Sequence, residues 1–334
     1  MHRWVVVSKA NNRAGEDVIE HPASRKLIHL RFCGTNRLQT YLPTAKPMPT
    51  PREILSALLP HLKVAAGYAT KIQASIGAQP DKVAAQNNFF AEALTDADLS
   101  IQTFMEVTLL SLFPDIRFYG EEFAQTYNTK YFRSIELGSQ DDYLVTLDPI
   151  DGTRFYMDGH PNYQIILTIL NSDDFEAVIA LSPALNEYYY SLRGEGTFRG
   201  SLADDLDSCQ PLKIETPKNQ IILSWTMDYL AETLRQDFDV ISVQPDYSRE
   251  VAIPNTNGLM TGDLSGAILA AGKFIDGGAL SWMAKEMGYV VTDHQGHELP
   301  ALRDCDDYQW PGVVVGSSPE VHRKLLAALA ALST

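Results

Sequence analysis

The chain has 334 residues, 45% of them hydrophobic, which is enough for a sizeable core in one large domain or two. Its formal net charge of −15 argues against nucleic acid or an anionic membrane surface as the main partner. The three cysteines (Cys33, Cys209 and Cys305) are scattered without a C-x-x-C pair, which argues against a zinc or redox site and suits a reducing compartment.

No apolar run approaches membrane-spanning length, and Met1 to Val7 holds too little for a secretory signal, so a cytoplasmic protein is expected. Residues 1–48 read as an extension or linker, with short strands at Trp4–Val7 and Leu27–Phe32. Thr50-Pro51-Arg52-Glu53 then opens a helix: a Thr cap, Pro in the first turn and Glu completing a capping box. Apolar residues from Ile54 to Ile76 keep helical spacing up to Gly77, and Pro60 is expected to kink or divide the element. A second helix follows from Thr95, with Ile101, Phe104, Met105, Thr108 and Leu112 on one face, ending near Pro114.

Ile116–Tyr119 reads as a strand that delivers Gly120-Glu121-Glu122. A second short apolar run, Tyr143–Leu147, leads into Asp148-Pro149-Ile150-Asp151-Gly152-Thr153. Two carboxylates three residues apart at a strand end suit a hard cation, which takes oxygen ligands. Pro149 stiffens the bend, so the Ile150 carbonyl can turn toward the same ion. Gly152 lets the backbone approach a ligand, and amides at a helix start favour an anion such as phosphate. Neighbouring metal and phosphate sites point to phosphoryl chemistry; on this stretch alone, a capped acidic turn without a ligand stays open.

Tyr163–Leu170, Ala177–Leu181 and Tyr188–Leu192 predict an antiparallel meander, closed by turns at Gly194, Gly196 and Gly200. Beyond residue 205 the pattern alternates. Strands are predicted at Ile221–Ser224, Val240–Val243, Val290–Thr292 and Val313–Val315, and helices at Met227–Leu234, Leu264–Ala271 and from Ser318-Pro319-Glu320 to Leu332. An α+β half over 49–204 and an α/β half over 205–334 are therefore expected. Four acids could converge with Asp148 and Asp151: Glu121, Asp98, Asp96 and Asp276. Asp98 also completes a capping box with Thr95, and Asp276 also suits a helix cap before Glu286. His294 and His297 lie in a polar loop and read as surface residues.

Taken in order, Thr95-x-x-Asp98, Gly120-Glu121-Glu122 and the Asp148–Thr153 hexapeptide resemble the inositol monophosphatase family of metal-dependent, lithium-sensitive-type phosphatases. Arg193–Gly200 resembles the family's Gly-x-Gly-Ala-Phe-x-Asn-Gly turn, Glu286–Asp293 its Glu-Ala-Gly-Gly segment, and Val313–Leu325 its closing strand and helix. The resemblance runs from about residue 52 to the end. It implies a layered α/β/α/β sandwich of the sugar-phosphatase type, commonly a homodimer, using two or three Mg2+ ions. It also implies Glu121, Asp148, the Ile150 carbonyl, Asp151 and Asp276 as metal ligands, and Gly152 and Thr153 as phosphate-binding. Asp98, Glu121 and Thr153 are the implied catalytic residues, with Asp98 and the Thr153 hydroxyl orienting the attacking water.

Two departures matter: the first leaves Asp276 readable either as the last ligand or as the Asp of the family's Gly-Arg-x-Asp turn, and the second bears on the substrate. Asp276 stands ten residues before Glu286 as the family's last ligand does, but Ile275 replaces its Trp, and the strand before it is missing or very short. Arg154-Phe155 replaces the usual Thr-Asn, and Asp-Gly-Thr-Arg is similar to the histidinol-phosphate phosphatases. The expected activity is Mg2+-dependent hydrolysis of a small polyol, sugar or amino-alcohol phosphate. The alternatives are a histidinol-phosphate-type enzyme and a member that binds metal or ligand with weakened catalysis.

Overall fold

In the computed structural model, residues 18–21, 24–29, 48–75, 95–122 and 142–332 are described. The expected strand at Trp4–Val7, residues 30–32 of the second strand, Cys33 and the Ile76–Gly77 helix end lie outside them. The chain divides into two compact units, Met1–Met48 and Pro49–Thr334. In the first, β1 (Val18–His21) and β2 (Ser24–His29) form an antiparallel pair with Val18 opposite His29.

In the second unit, α1 (Pro51–Ile72) starts at the capping box: the Thr50 hydroxyl accepts from the Glu53 amide at 3.2 Å, and the Glu53 carboxylate accepts from the Thr50 amide at 2.8 Å. Pro60 does not divide α1. It sits on the exposed side, where its ring meets solvent, while Leu58, Leu59 and Leu62 are buried on the other side and carry the helix past the one missing bond. The second helix, α2, spans Asp96–Leu112.

A seven-stranded sheet follows in the order β3 (Arg117–Gly120), β4 (Leu144–Asp151), β5 (Gln164–Leu170), β6 (Phe175–Ser182), β7 (Glu187–Leu192), β8 (Gly196–Ser201) and β9 (Gln210–Pro211). The short helix α3 (Thr153–Met157) lies between β4 and β5. β3 and β4 run parallel, and the remaining pairs are antiparallel, forming the predicted meander. The strands read as continuous apolar runs because both faces are covered. Alternate residues Val145, Leu147, Ile165, Leu167 and Ile169 pack with α1 and α2, whereas Leu144, Ile166 and Leu170 face a second core.

That second core joins the sheet to α4 (Gly277–Glu286) and to a five-stranded sheet. The latter is ordered β11 (Asp239–Ser242), β10 (Gln220–Leu223), β12 (Gly266–Leu269), β16 (Val313–Gly316), β14 (Val290–Thr292). Its outer face is closed by α5 (Pro319–Leu332), which buries Leu325, Ala328 and Leu329 against Ile221, Leu223, Ile268 and Val314. A separate two-stranded ribbon pairs β13 (Gly272–Lys273) with β15 (Gln309–Trp310). The layers are thus α/β/α/β with an outer helix, the expected α/β architecture.

Two predicted elements differ. Leu264–Ala271 is not a helix: its centre is β12, buried between β10 and β16. A short, largely apolar run fits a buried helix or a buried strand equally well, and here partners distant in sequence decide. A Cβ on Gly266 would stand 2.7 Å from the Val315 carbonyl oxygen, so only glycine lets the two strands approach. Met227–Leu234 is helical only over Ala231–Leu234, after a 3-10 turn at Asp228–Leu230.

Trp282 anchors the middle layer, stacked on Phe175 at 5.5 Å between ring centroids within a cluster that includes Phe274 and Trp310. Replacing Trp282 with Ala is expected to cost about 3–5 kcal/mol of stability, measured by urea unfolding. An unchanged midpoint would contradict this packing.

Candidate active site

The parallel pairing of β3 with β4 sets Gly120 opposite Leu147, so the two strands end side by side. Glu121 leaves β3 there, its amide donating to the Leu147 carbonyl at 3.1 Å, next to Asp148. Gly120 is needed at this point: a Cβ would stand 2.3 Å from the Gln102 side chain. Asp148 and Asp151 would point to opposite faces of a regular strand. They do not, because the β4–β5 register slips between them: Asp148 pairs with Ile166 and Asp151 with Gln164, three steps against two. Pro149 has no amide to give the ladder, and the resulting bulge turns both carboxylates into one cavity.

That cavity, of about 240 Å3, is lined by Glu121, Asp148, Ile150, Asp151, Gly152, Thr153 and Asp276, all candidate residues. Asp98 reaches it through Thr153. One Asp98 oxygen accepts from the Thr95 amide at 2.8 Å and also from the Thr95 hydroxyl, capping α2; the other lies 3.2 Å from the Thr153 hydroxyl. Capping and site contact therefore coexist in Asp98. Thr153 Oγ1 also lies 2.9 Å from the Ile150 carbonyl oxygen, so its single proton is shared between two acceptors. Gly152 adopts φ +86°, and a Cβ there would come within 3.2 Å of the Asn162 carbonyl oxygen. Asp276 caps α4, one oxygen accepting from the Gly277 amide. Asp96 lies at the exposed start of α2 and is not among the cavity-lining residues.

The site is electrostatically loaded. Its lining holds four carboxylates (Glu121, Asp148, Asp151, Asp276) against two cations, Arg154 and Lys273. Burial, reinforced by the Glu121 and Asp151 charges, pushes Asp148 well above the ordinary carboxylate range. Burial, with Asp276 and Glu121, raises Asp151 to about 8. Asp276 is also raised, burial outweighing the pull of Lys273. Lys273 is held protonated above its usual range, chiefly by Asp276.

Among the described residues, no three His, Cys, Asp or Glu side chains close into a ready-made metal cage. The carboxylates line the cavity wall instead. Their chemistry nonetheless fits a hard divalent ion: an all-oxygen donor set with excess negative charge, buried where only a cation relieves the repulsion.

The inositol monophosphatase family profile matches residues 55–334. The chain belongs to the inositol monophosphatase family. The match covers every residue that lines the cavity, and named relatives differ in what they are called. A putative Nus factor SuhB of Neisseria meningitidis is 24% identical over 202 residues, 57% of this chain and 70% of that protein. A fructose-1,6-bisphosphatase/inositol-1-monophosphatase of Thermotoga maritima is 28% identical over 109 residues, 33% of this chain and 38% of that one. Among solved structures, an IMPase/NADP phosphatase complexed with Mg2+ and phosphate superposes with a TM-score of 0.60 at 17% identity, covering 83% of this chain and 95% of that one. The segments that carried the resemblance also meet in space: the Gly194 amide donates to the Glu286 carboxylate at 2.9 Å.

Sequence reasoning missed Lys273, Asn255 and the apolar side of the cavity, formed by Phe155, Ile222, Trp225, Val243 and Leu269. The Asn255 amide donates to Asp151 at 3.3 Å from over a hundred residues away, a contact that no local spacing signals. Neither loop histidine is among the cavity-lining residues: His294 pairs with the Leu269 carbonyl and His297 with Asp293.

Proposed function

We propose that this cavity hydrolyses a small phosphomonoester with the help of divalent metal. The observation that carries the reading is the convergence of Glu121, Asp148, Asp151 and Asp276 on one cavity beside Gly152 and Thr153. Glu121, Asp148, the Ile150 carbonyl, Asp151 and Asp276 are the groups that would hold divalent metal, up to two or three Mg2+ ions. A bound Mg2+ supplies charge neutralisation at the phosphate oxygens and acidity to a water. The Gly152 and Thr153 amides hold the phosphate. The Thr153 hydroxyl, its proton taken up by Asp98 and the Ile150 carbonyl, keeps a lone pair to accept from the attacking water, so the water's oxygen is aimed at phosphorus. Asp98 draws proton density from that water through Thr153, and Glu121 steadies the water from the β3 side.

The apolar lining residues suit an alcohol moiety with an unsubstituted carbon or ring face as well as a polyol, which supports keeping histidinol phosphate among the candidates. A panel of inositol 1-phosphate, histidinol phosphate, fructose 1,6-bisphosphate and 3′-phosphoadenosine 5′-phosphate, assayed for released phosphate, identifies the class. We further propose a cytoplasmic homodimer that acts on a free metabolite, with no nucleic acid or membrane partner. Among the described residues no helix is long and apolar enough to cross a membrane.

A second reading has its own support. Several relatives are named Nus factors, and Lys273 stands against Asp276, which favours a member that binds metal or ligand without efficient turnover. Metal binding together with silence across the substrate panel in folded protein is the outcome that reading requires.

A further inference from the structure

We propose that Lys273 is a tethered cation that takes the place of one divalent ion, so that this site binds one metal fewer than its carboxylates could accommodate. The inference rests on the metal-dependent reading of the cavity.

Lys273 Nζ lies 3.5 Å from Asp276 Oδ2, three residues on. The other Asp276 oxygen accepts from the Gly277 amide. Both oxygens of Asp276 are thereby engaged from within the chain. The contrast with the β4 carboxylates is direct: Asp148 accepts from the Ile150 amide at 3.0 Å and Asp151 from the Asn255 amide at 3.3 Å, both neutral donors that leave the negative charge for a cation. An ammonium on Asp276 does not; an incoming ion on that side must displace it or go without that ligand.

The tether is firm. Lys273 is the last residue of β13, held by pairing with Gln309, while Gly272 pairs with Trp310. Helix α4 then starts so close behind that a Cβ on Gly278 would stand 2.5 Å from the Lys273 carbonyl oxygen. The shortness of β13, two residues with α4 close behind, is thus what brings a lysine within reach of the last acid. Lys273 and Glu121 also line a second cavity of about 160 Å3, with Tyr119, Tyr308 and Gln309. Lys273 therefore borders both spaces, and its charge acts on Asp148 and Asp151 as well as on Asp276. Its side chain is about half exposed, so replacing it leaves the core intact.

The test is a binding isotherm with Mn2+ alone, followed by electron paramagnetic resonance of the free ion, on the full chain without substrate. The wild type, Lys273→Met, Lys273→Gln and Lys273→Arg are compared, each checked for folding by circular dichroism. The expected result is one additional Mn2+ per chain in Lys273→Met and Lys273→Gln, with Lys273→Arg matching the wild type. Equal numbers and affinities in the wild type and Lys273→Met overturn the proposal while leaving the metal site standing. No Mn2+ bound by the wild type, or binding unchanged by Asp151→Asn, overturns the metal reading itself and this inference with it.

Discussion

Replacing Asp151 with Asn is expected to lower Mg2+-dependent phosphate release by more than about 100-fold, beyond the 10–100-fold that a residue supporting a metal ligand costs. The fold should survive. Asn is nearly the same shape, and its side-chain oxygen can still accept from Asn255, now at 3.3 Å from Asp151. What is lost is charge on the bulge that turns Asp148 and Asp151 into one cavity. Turnover at the wild-type rate would remove Asp151 from the site.

The same variant carries a pH signature. Burial raises the Asp151 carboxyl to about 8 in the folded chain, and Asp148 and Asp276 are raised as well. An unfolded aspartate loses its proton near pH 4. Between these values the folded chain binds protons that the unfolded chain has released, so stability falls as pH rises through that window. In EDTA, the wild-type melting temperature is expected to drop from pH 5 to pH 8. Asp151→Asn should show a shallower drop and be the more stable protein at pH 8. Parallel curves would show that Asp151 is not the strained group.

Thr153→Val is the second large effect, expected to lower turnover by about 10²–10⁴-fold, the range for a positioned proton-transfer group. Val keeps the volume and removes the hydroxyl that lies 3.2 Å from Asp98 and 2.9 Å from the Ile150 carbonyl oxygen. The loss should fall on kcat more than on KM, because the backbone amide of residue 153 remains for the phosphate. Asp98→Asn separates positioning from architecture. Its amide oxygen can still cap α2 through Thr95, while its NH2 group faces Thr153 as a donor where an acceptor is needed. A helix that melts unchanged alongside a loss of turnover supports the water-orienting role; full turnover in both variants contradicts it.

Much of the site was legible because its chemistry is local. Asp148, Ile150, Asp151, Gly152 and Thr153 lie in six consecutive residues, and the Thr95–Asp98 and Thr50–Glu53 capping boxes are written in four residues each. The meander was legible for the same reason: short connections make sequential strands neighbours. The illegible parts depend on partners far along the chain. That Asp148 and Asp151 share a face follows from how β4 registers on β5, which the hexapeptide does not state. β12 resembles a helix until β10 and β16 are placed on either side of it. Pro60 looks like a break because the sequence does not show that its ring faces solvent. Lys273 was in plain view, but its meaning depends on the tight turn from β13 into α4.

The chemistry proposed for the carboxylate-lined cavity is metal-dependent hydrolysis of a phosphomonoester. Inorganic phosphate released from the substrate panel, measured as Mg2+ is titrated back into EDTA-treated protein, tests it most directly. Release is expected from at least one phosphomonoester, absent in EDTA, restored by Mg2+ and lost in Asp151→Asn. Release that persists undiminished in EDTA, or no release from any substrate by folded, metal-loaded protein, would contradict it.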